Sequence, residues 1–196
     1  MPKIQAPTVA QHRELRRQQL MDAAMELALS SGADSISVAS VAAKAGLARS
    51  SIYEYFASSA DLVADLVIEE LDYFTHRLAD AIGDHTDPFM RIELWMTESL
   101  HYVADGRHML IKSLNTISTP LDRKEEIALG HRRMMAPLLD ALHKVGVSNV
   151  QIAASLLSSI ADAATIRIES GNDAELETRS AVTFALAGIR ALASNA

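Results

Sequence analysis

Residues 32–56 read GADSISVASVAAKAGLARSSIYEYF, and this stretch decides the fold. Two short runs with helical spacing flank Gly46, and the second run ends in an aromatic cluster of Tyr53, Tyr55 and Phe56. A helix, a tight turn at a glycine and a second short helix make the unit that presents a helix to the DNA major groove. The stretch therefore predicts double-stranded DNA as a partner of the chain.

Apolar residues at helical spacing continue on both sides of this stretch, and strand-like alternation is nearly absent. The breakers between these runs predict helices at about 9–31, 38–45, 48–55, 59–82, 88–104, 107–115, 121–144, 149–169 and 173–194. We thus predict an all-α chain of about nine helices. A three-helix, helix-turn-helix head is expected over residues 1–60, and a helical body over residues 61–196.

Three segments of the head carry a recognisable pattern. They contain Arg17, Leu20, Met21, Ala23, Ala24, Leu27 and Gly32 in the first helix, Ser37, Val38, Val41, Ala42, Ala45, Gly46 and Leu47 around the turn, and Ile52, Tyr53, Tyr55 and Phe56 after it. Over about residues 10–66 this pattern resembles the TetR (tetracycline-repressor-like) family of bacterial transcriptional regulators. The resemblance implies a DNA-binding head on a body that binds a small effector. It also implies a dimer formed through the last two helices.

Within the head, core positions separate from positions that face the DNA. We expect the core positions to be Val38, Val41, Ala42, Leu47, Ile52 and Phe56. The open face is then left with polar side chains that can reach base edges in the major groove. These side chains are Arg49, Ser50, Ser51 and Glu54.

Other polar residues of the head are placed for phosphates, which set the register on DNA and carry no sequence information. We predict such contacts for Lys44, Tyr53 and Tyr55. The first helix adds candidates for contacts with the DNA backbone or minor groove, namely Arg13, Arg16 and Arg17.

The head departs from the family pattern at two positions. The family usually caps its recognition helix with serine or threonine, and here that position is Ala48. Losing the cap costs about 1 kcal/mol of local helix stability. The family also tends to carry a lysine at the start of the fourth helix, where this chain has Ser59. One phosphate contact is therefore expected to be missing, which lowers the salt slope of binding by about one unit.

The body contains no family-specific motif, so its roles are what the resemblance implies. For an effector pocket we select Trp95, Tyr102 and Met134, because methionine and aromatic side chains line adaptable apolar cavities. The same residues also fit plain core packing. For a dimer interface, one face of each of the last two helices is apolar, with Ala153, Leu156, Leu157, Ile160, Ala164 and Ile168 on the first and Val182, Ala185, Leu186, Ile189 and Leu192 on the second.

The composition fits a regulator of this kind. The net charge is −7, but residues 1–56 hold six basic and five acidic groups, so the head is near neutral and the acidity lies in the body. The chain has no cysteine, which excludes disulfides and thiolate metal sites. No apolar run approaches the roughly 18 residues of a membrane span, and the N-terminus lacks the apolar core of a secretory signal. We expect a cytoplasmic protein.

The pattern as a whole predicts a homodimeric repressor that a small apolar effector releases from its operator, with no cofactor. An alternative is a DNA-binding regulator gated by a protein partner, or not gated at all. A helical-bundle enzyme or metal protein is a second alternative, because Glu98 and His101 form a Glu-x-x-His pair. That chemistry needs a second such pair, which the chain does not contain. A single metal at His101, His108 and His131 stays open.

Overall fold

The structure is a computed structural model that describes residues 9–32, 35–107 and 120–194. These described residues form eight α-helices and no strand, in agreement with the predicted all-α chain of about nine helices. They divide into two compact units. The head unit comprises the described residues up to Ile68 together with residues 120–125, and the body unit comprises residues 69–107 and 126–194.

The head unit is built from short helices around a small apolar core. Its helices are α1 (Val9–Ser31), α2 (Val38–Lys44), α3 (Arg49–Ile52) and the first part of α4 (Ser59–Ile82). The side chains at its centre are almost completely buried, among them Leu20, Ala24, Val41, Ile52, Phe56 and Leu66. Burying these side chains holds the short helices together, because a helix of four to seven residues is not stable alone.

The body unit contains the rest of α4 and four longer helices. These are α5 (Pro88–Ala104), α6 (Lys124–Val145), α7 (Val150–Glu169) and α8 (Ala174–Ser194), with α6 preceded by a 3₁₀ turn at Leu121–Arg123. Side-chain caps start two of them: Asp87 accepts a hydrogen bond from the Phe89 amide, and Asn149 accepts one from the Ile152 amide. One large apolar cluster, which includes Leu78, Ile92, Met96, Leu138, Leu142 and Leu157, forms the core.

Most predicted helix bounds agree with the structure to within one or two residues. The third helix is the exception, because α3 covers only Arg49–Ile52 rather than 48–55. Its chain tightens into a turn there, where the amides of Tyr55 and Phe56 both donate to the Ile52 carbonyl at 2.9 Å. The predicted helix at 107–115 lies outside the described residues except for its first position. No helix among the described residues is long and apolar enough to cross a bilayer.

Candidate DNA-binding site

The turn between α2 and α3 is fixed by Gly46, whose φ is +68°. The Gly46 amide donates to the Ala43 carbonyl and the Leu47 amide donates to the Ala42 carbonyl, at 3.2 and 2.9 Å. This pair of bonds is the Schellman termination of α2, and it requires a left-handed residue for which glycine pays no steric penalty. The glycine that marked the motif in the sequence therefore sets the angle between the two helices.

Both ends of α2 are determined locally. The Ser37 hydroxyl accepts from the Ser40 amide while the Ser40 hydroxyl accepts from the Ser37 amide, which is a reciprocal capping box. By contrast, Ala48 precedes α3 and provides no side-chain hydrogen bond, so the predicted loss of the cap is confirmed. The orientation of α3 depends instead on packing, since Ile52 and Phe56 are 1% and 3% exposed.

The predicted core of the head is largely confirmed. Val41, Ala42, Ile52 and Phe56 are buried, whereas Val38 and Leu47 are only partly buried at the edge of the turn. The core side of α3 is thus Ile52 alone. Its other residues, which we selected for base contacts, are left facing outward.

Three of the four residues predicted to read bases lie together on α3, and the fourth, Glu54, is exposed in the turn after it. Arg49 and Ser50 are exposed and Ser51 is half-buried. Among the described residues, the Arg49 guanidinium has no hydrogen-bond or ion-pair partner. An exposed arginine at the first turn of a recognition helix is free to form a bidentate contact with a guanine edge.

The predicted phosphate-contacting residues have different surroundings. Tyr53 is about half exposed and Tyr55 is partly buried. The Lys44 ammonium lies 2.9 Å from the Glu26 carboxylate of α1. Because both side chains of this pair are well exposed, the ion pair is weak and lets Lys44 exchange Glu26 for a phosphate.

The three arginines of α1 do not have equal roles. The Arg13 guanidinium donates to the Glu54 carbonyl at 3.2 Å and so connects α1 to the turn that follows α3. The Arg16 guanidinium donates to Gln19 of its own helix at 3.0 Å, and its contact with DNA stays a prediction. The Arg17 guanidinium donates to Asp65 at 2.7 Å and lies over the Phe56 ring. Arg17 is therefore a structural residue of the head.

Asp65 joins three parts of the head unit. Besides Arg17 of α1, its carboxylate accepts a hydrogen bond from Arg123 of the 3₁₀ turn. The Asp65 side chain is 14% exposed. The 3₁₀ turn is thereby connected to α1 and α4 of the head unit.

In the body unit, two of the predicted effector residues lie side by side. The Trp95 ring N–H donates to the Met134 carbonyl at 3.2 Å, and both side chains belong to the main apolar cluster. Trp95 is 6% exposed. The ring N–H already has a partner, so this residue fits the core as well as it fits a ligand site. Its effector role stays a prediction.

Tyr102, the third predicted effector residue, leads to a group that sequence reasoning missed. Its ring stacks on Phe74 with centroids 4.4 Å apart, and its hydroxyl donates to the Glu70 carboxylate at 2.8 Å. Burial and the Glu70 charge raise the pKa of Tyr102 well above its ordinary value. Glu70 is 1% exposed and also binds Arg107.

A sequence signal for Glu70 existed. It lies three residues after Val67 and four before Phe74, on the apolar face of α4. A carboxylate inside an apolar stripe is either a partnered core residue or part of a site. Nothing in the spacing identifies Arg107 as the partner, because that residue lies on another helix and far along the chain.

The predicted dimer faces need correction. Of the residues named on α7 and α8, the structure buries Ala153, Leu157, Ala164, Val182, Ala185, Leu186 and Ile189 inside the body unit. Leu156 and Leu192 of the predicted faces are exposed, and so are four apolar residues that the prediction did not include, namely Ile152, Ile166, Leu176 and Phe184. Each of the two helices has one apolar face that is buried in the body unit and a second that is exposed, and the sequence pattern did not distinguish them. Leu156, Ile160, Phe184, Gly188 and Leu192 line an apolar groove between the two helices.

The Glu-x-x-His pair has structural partners. Glu98 Oε1 accepts a hydrogen bond from Arg77 Nε at 2.6 Å and lies 2.5 Å from Arg77 Nη2, so Glu98 forms an ion pair with Arg77. His101 lies 3.7 Å from Glu175. Within the described residues, no three acidic or histidine side chains converge as metal ligands would. Of the three histidines considered for a single metal, His108 lies outside the described residues.

Comparison with known proteins agrees with this geometry. A family model described as bacterial regulatory proteins of the tetR family matches residues 20–66, which cover the second half of α1, all of α2 and α3, and the start of α4. No curated sequence matches the chain.

Solved structures extend the likeness to the body. A putative transcriptional regulator from Pseudomonas aeruginosa PAO1 has 20% identity and a TM-score of 0.75, covering 93% of this chain and 92% of that chain. FadR, a transcriptional regulator from Bacillus subtilis in complex with stearoyl-CoA, has 21% identity and a TM-score of 0.71, covering 87% and 98%. A TetR-like transcriptional regulator from Rhodococcus sp. RHA1 has 19% identity and a TM-score of 0.69, covering 94% and 98%. At these identities the likeness establishes the fold.

Proposed function

Residues 20–66 are a TetR-family DNA-binding domain within a TetR-like fold, and on this premise we propose that the protein is a homodimeric, cytoplasmic repressor. It binds a double-stranded operator and leaves it when a small apolar effector occupies the body. The observation that carries the proposal is the exposed face of α3, where Arg49 has no partner among the described residues. Regulators of this family are transcription factors and not enzymes, so the helical-bundle enzyme is set aside.

We assign the polar residues of the head to two roles: some read base edges, and others position the head on the DNA backbone. Arg49 and Ser50 read base edges, because they are the outward side chains of the helix that enters the groove. Lys44, Tyr53 and Arg16 have exposed side chains or weak ion pairs and contact phosphates. Arg13 holds the turn that follows α3 against α1 through the Glu54 carbonyl.

Selection from random duplex DNA, followed by binding assays over a range of salt, tests this assignment. Arg49→Ala is expected to relax the preference at one base pair, with a loss of about 1–3 kcal/mol on the selected sequence. Lys44→Ala is the matched control: it weakens binding to all sequences and lowers the salt slope by about one. Failure to select any preferred sequence would contradict the proposal.

The homodimer is proposed to form through the apolar groove of α7 and α8. Phe184 is 71% exposed and Leu156 is 51% exposed, and both line the groove. Large apolar side chains grouped on an open face mark an interaction surface. Gly188 adds room for a close approach of two helices. A second copy of the same face makes a two-fold dimer, which suits an operator with two half-sites.

Sedimentation velocity tests the dimer. Phe184→Glu is expected to give a monomer, because it places a charge in the centre of the apolar groove, and to reduce operator affinity. Leu121→Glu is the matched control, since Leu121 is 82% exposed and lies outside the groove. A dimer that survives Phe184→Glu would contradict this interface.

Effector release is proposed from the family fold and from the complex of FadR with stearoyl-CoA. A ligand weakens DNA binding only if it binds one arrangement of the protein better than the other. Titrating the protein–operator complex with stearoyl-CoA, and with a panel of smaller apolar molecules, is expected to reveal at least one that dissociates it. An operator complex that no member of such a panel affects would favour the ungated regulator.

A further inference from the structure

The Glu70 carboxylate is a buried negative charge held by three donors. Its Oε1 accepts from the Tyr102 hydroxyl at 2.8 Å and from Arg107 Nε at 2.7 Å, and its Oε2 accepts from Arg107 Nη2 at 2.5 Å. The Glu70 side chain is 1% exposed. Among the described residues, Arg107 is the only cation bonded to it. A buried carboxylate of this kind requires a cation beside it.

The Arg107 side chain occupies a slot with two kinds of wall. The Glu70 carboxylate meets the edge of its guanidinium group, and the Tyr73 ring covers a face of that group, with the guanidinium carbon 4.1 Å from the ring centroid. A carboxylate at the edge and an aromatic ring at the face are what a planar cation binds best. The slot is therefore selective for shape as well as for charge.

The slot also borders solvent, so a molecule can reach it without opening the core. Tyr73 is 41% exposed and the Arg107 side chain is 33% exposed. Arg107 follows Gly106, which has a φ of +78° just beyond the end of α5. Arg107 thus lies beyond the turn that ends α5 and does not belong to that helix.

The charges around the slot favour a cation over an anion. Glu98 and Asp105 lie nearby and both bind Arg77, whose guanidinium group is 5.9 Å from the same Tyr73 ring. Among the described residues these two and Glu70 make three carboxylates against two arginines, Arg77 and Arg107. If Arg107 leaves the slot, three carboxylates face one arginine, and the site gains affinity for an incoming cation.

From this arrangement we infer that the slot between Glu70 and Tyr73 is a ligand site for a planar organic cation with an apolar substituent, in which the Arg107 side chain is the resident occupant. The ligand displaces Arg107 by offering the same guanidinium-like edge to Glu70 and the same face to Tyr73. The apolar substituent lies against the exposed Tyr73 ring. The role of this ligand as the effector rests on the proposed function, but the existence of the site does not.

Isothermal titration without DNA tests the site directly. The probe is phenethylguanidinium, and phenethylurea is its neutral control of nearly the same shape. Because a resident side chain lowers apparent affinity by the fraction of time it fills the site, Arg107→Ala is expected to bind the guanidinium at least about tenfold more tightly than wild type. Arg107→Lys keeps the charge and lacks the planar fork, so it is expected to fold and to bind about threefold more tightly.

The matched control for charge is Arg77→Ala, which removes a cation from the same ring and leaves Glu70 and Arg107 in place. The gain in guanidinium affinity from Arg77→Ala is expected to be smaller than the gain from Arg107→Ala. Glu70→Gln is expected to abolish guanidinium binding in every background. Equal binding of the guanidinium and the urea, retention of binding in Glu70→Gln, or no gain in either Arg107 variant would overturn the inference. None of these outcomes depends on operator binding, which is measured separately.

Discussion

Asp65 and Glu70 lie on the same helix, α4, and both bind arginine, yet their surroundings differ. Asp65 belongs to the head unit, retains some exposure and is shared by Arg17 and Arg123. Glu70 belongs to the body unit, is almost completely buried and has one arginine beside it among the described residues. If Asp65 loses one arginine, the other still compensates its charge, whereas Glu70 depends on Arg107 alone among the described residues. Loss of a single arginine should matter far more in the body.

The largest effect is expected from Arg107→Ala. Removing this side chain leaves the Glu70 charge buried with only the Tyr102 hydroxyl, which should lower the free energy of unfolding by about 3 kcal/mol. This is the low end of the range for broken buried pairs, because Arg107 is one-third exposed. Urea denaturation followed by circular dichroism measures the loss. If Arg107→Ala lowers the free energy of unfolding no more than Arg17→Ala does, Glu70 does not depend on its arginine more than Asp65 does.

The next effect is expected from Tyr102→Phe. The substitution removes a hydrogen bond to a buried carboxylate while keeping the stack on Phe74, so it should cost about 1.5 kcal/mol. Tyr73→Phe is the matched control, because the Tyr73 ring is exposed and should lose less than about 0.5 kcal/mol. The same urea titrations apply. Equal costs for the two tyrosines would mean that Glu70 does not need the Tyr102 hydroxyl.

A smaller effect is expected from Arg17→Ala. Asp65 keeps Arg123, so the substitution should cost about 1 kcal/mol or less, a value typical of a partly exposed pair. A double-mutant cycle with Arg123→Ala sharpens the comparison: the second removal should cost more in the absence of Arg17 than in its presence. Additive costs would show that the two arginines do not share Asp65.

The smallest effect is expected from the pair of Arg167 on α7 and Glu177 on α8, whose atoms lie 2.6–2.8 Å apart; the Arg167 side chain is 60% exposed and the Glu177 side chain is 11% exposed. Hydrogen bonding to Arg167 holds the pKa of the Glu177 carboxyl below its ordinary value of 4.5. Its stabilising contribution is therefore present above about pH 4.5 and is lost as the pH falls through the lower folded-state pKa. The stability difference between wild type and Glu177→Gln should shrink between pH 6 and pH 3. A constant difference would contradict the pairing.

The head was predictable because its geometry is local. Gly46 needs a left-handed backbone, Ser37 begins a helix and Ala48 cannot cap one, and each of these facts can be recognised within a few residues of sequence. The structure confirms all three. The spacing of apolar residues overestimated the length of α3, because the helix can end at Ile52 without any change in the apolar pattern.

The body was less predictable because its decisive features depend on distant residues. Val182 and Phe184 are equally apolar, yet the first is buried and the second is 71% exposed. A helix that has an internal face and an open face gives one broad apolar stripe in sequence. Likewise, Glu70 could be noticed as a carboxylate in an apolar stripe, but its pairing with Arg107 depends on where the chain beyond the end of α5 passes α4.

The uncapped start of α3 has a consequence for the strength of regulation. Because α3 has four residues and no side-chain cap, its conformation in the free protein depends on Ile52, Phe56 and Arg13. If part of the helix becomes ordered only on DNA, the free-energy cost of that ordering reduces the binding affinity. Ala48→Ser would add the cap in advance. Its gain of about 1 kcal/mol corresponds to about fivefold tighter binding to every operator variant, with the ranking of those variants unchanged. Residue 48 thus affects the affinity for DNA without affecting sequence specificity. With alanine at this position, we expect the protein to dissociate from DNA more readily than it would with a capping serine.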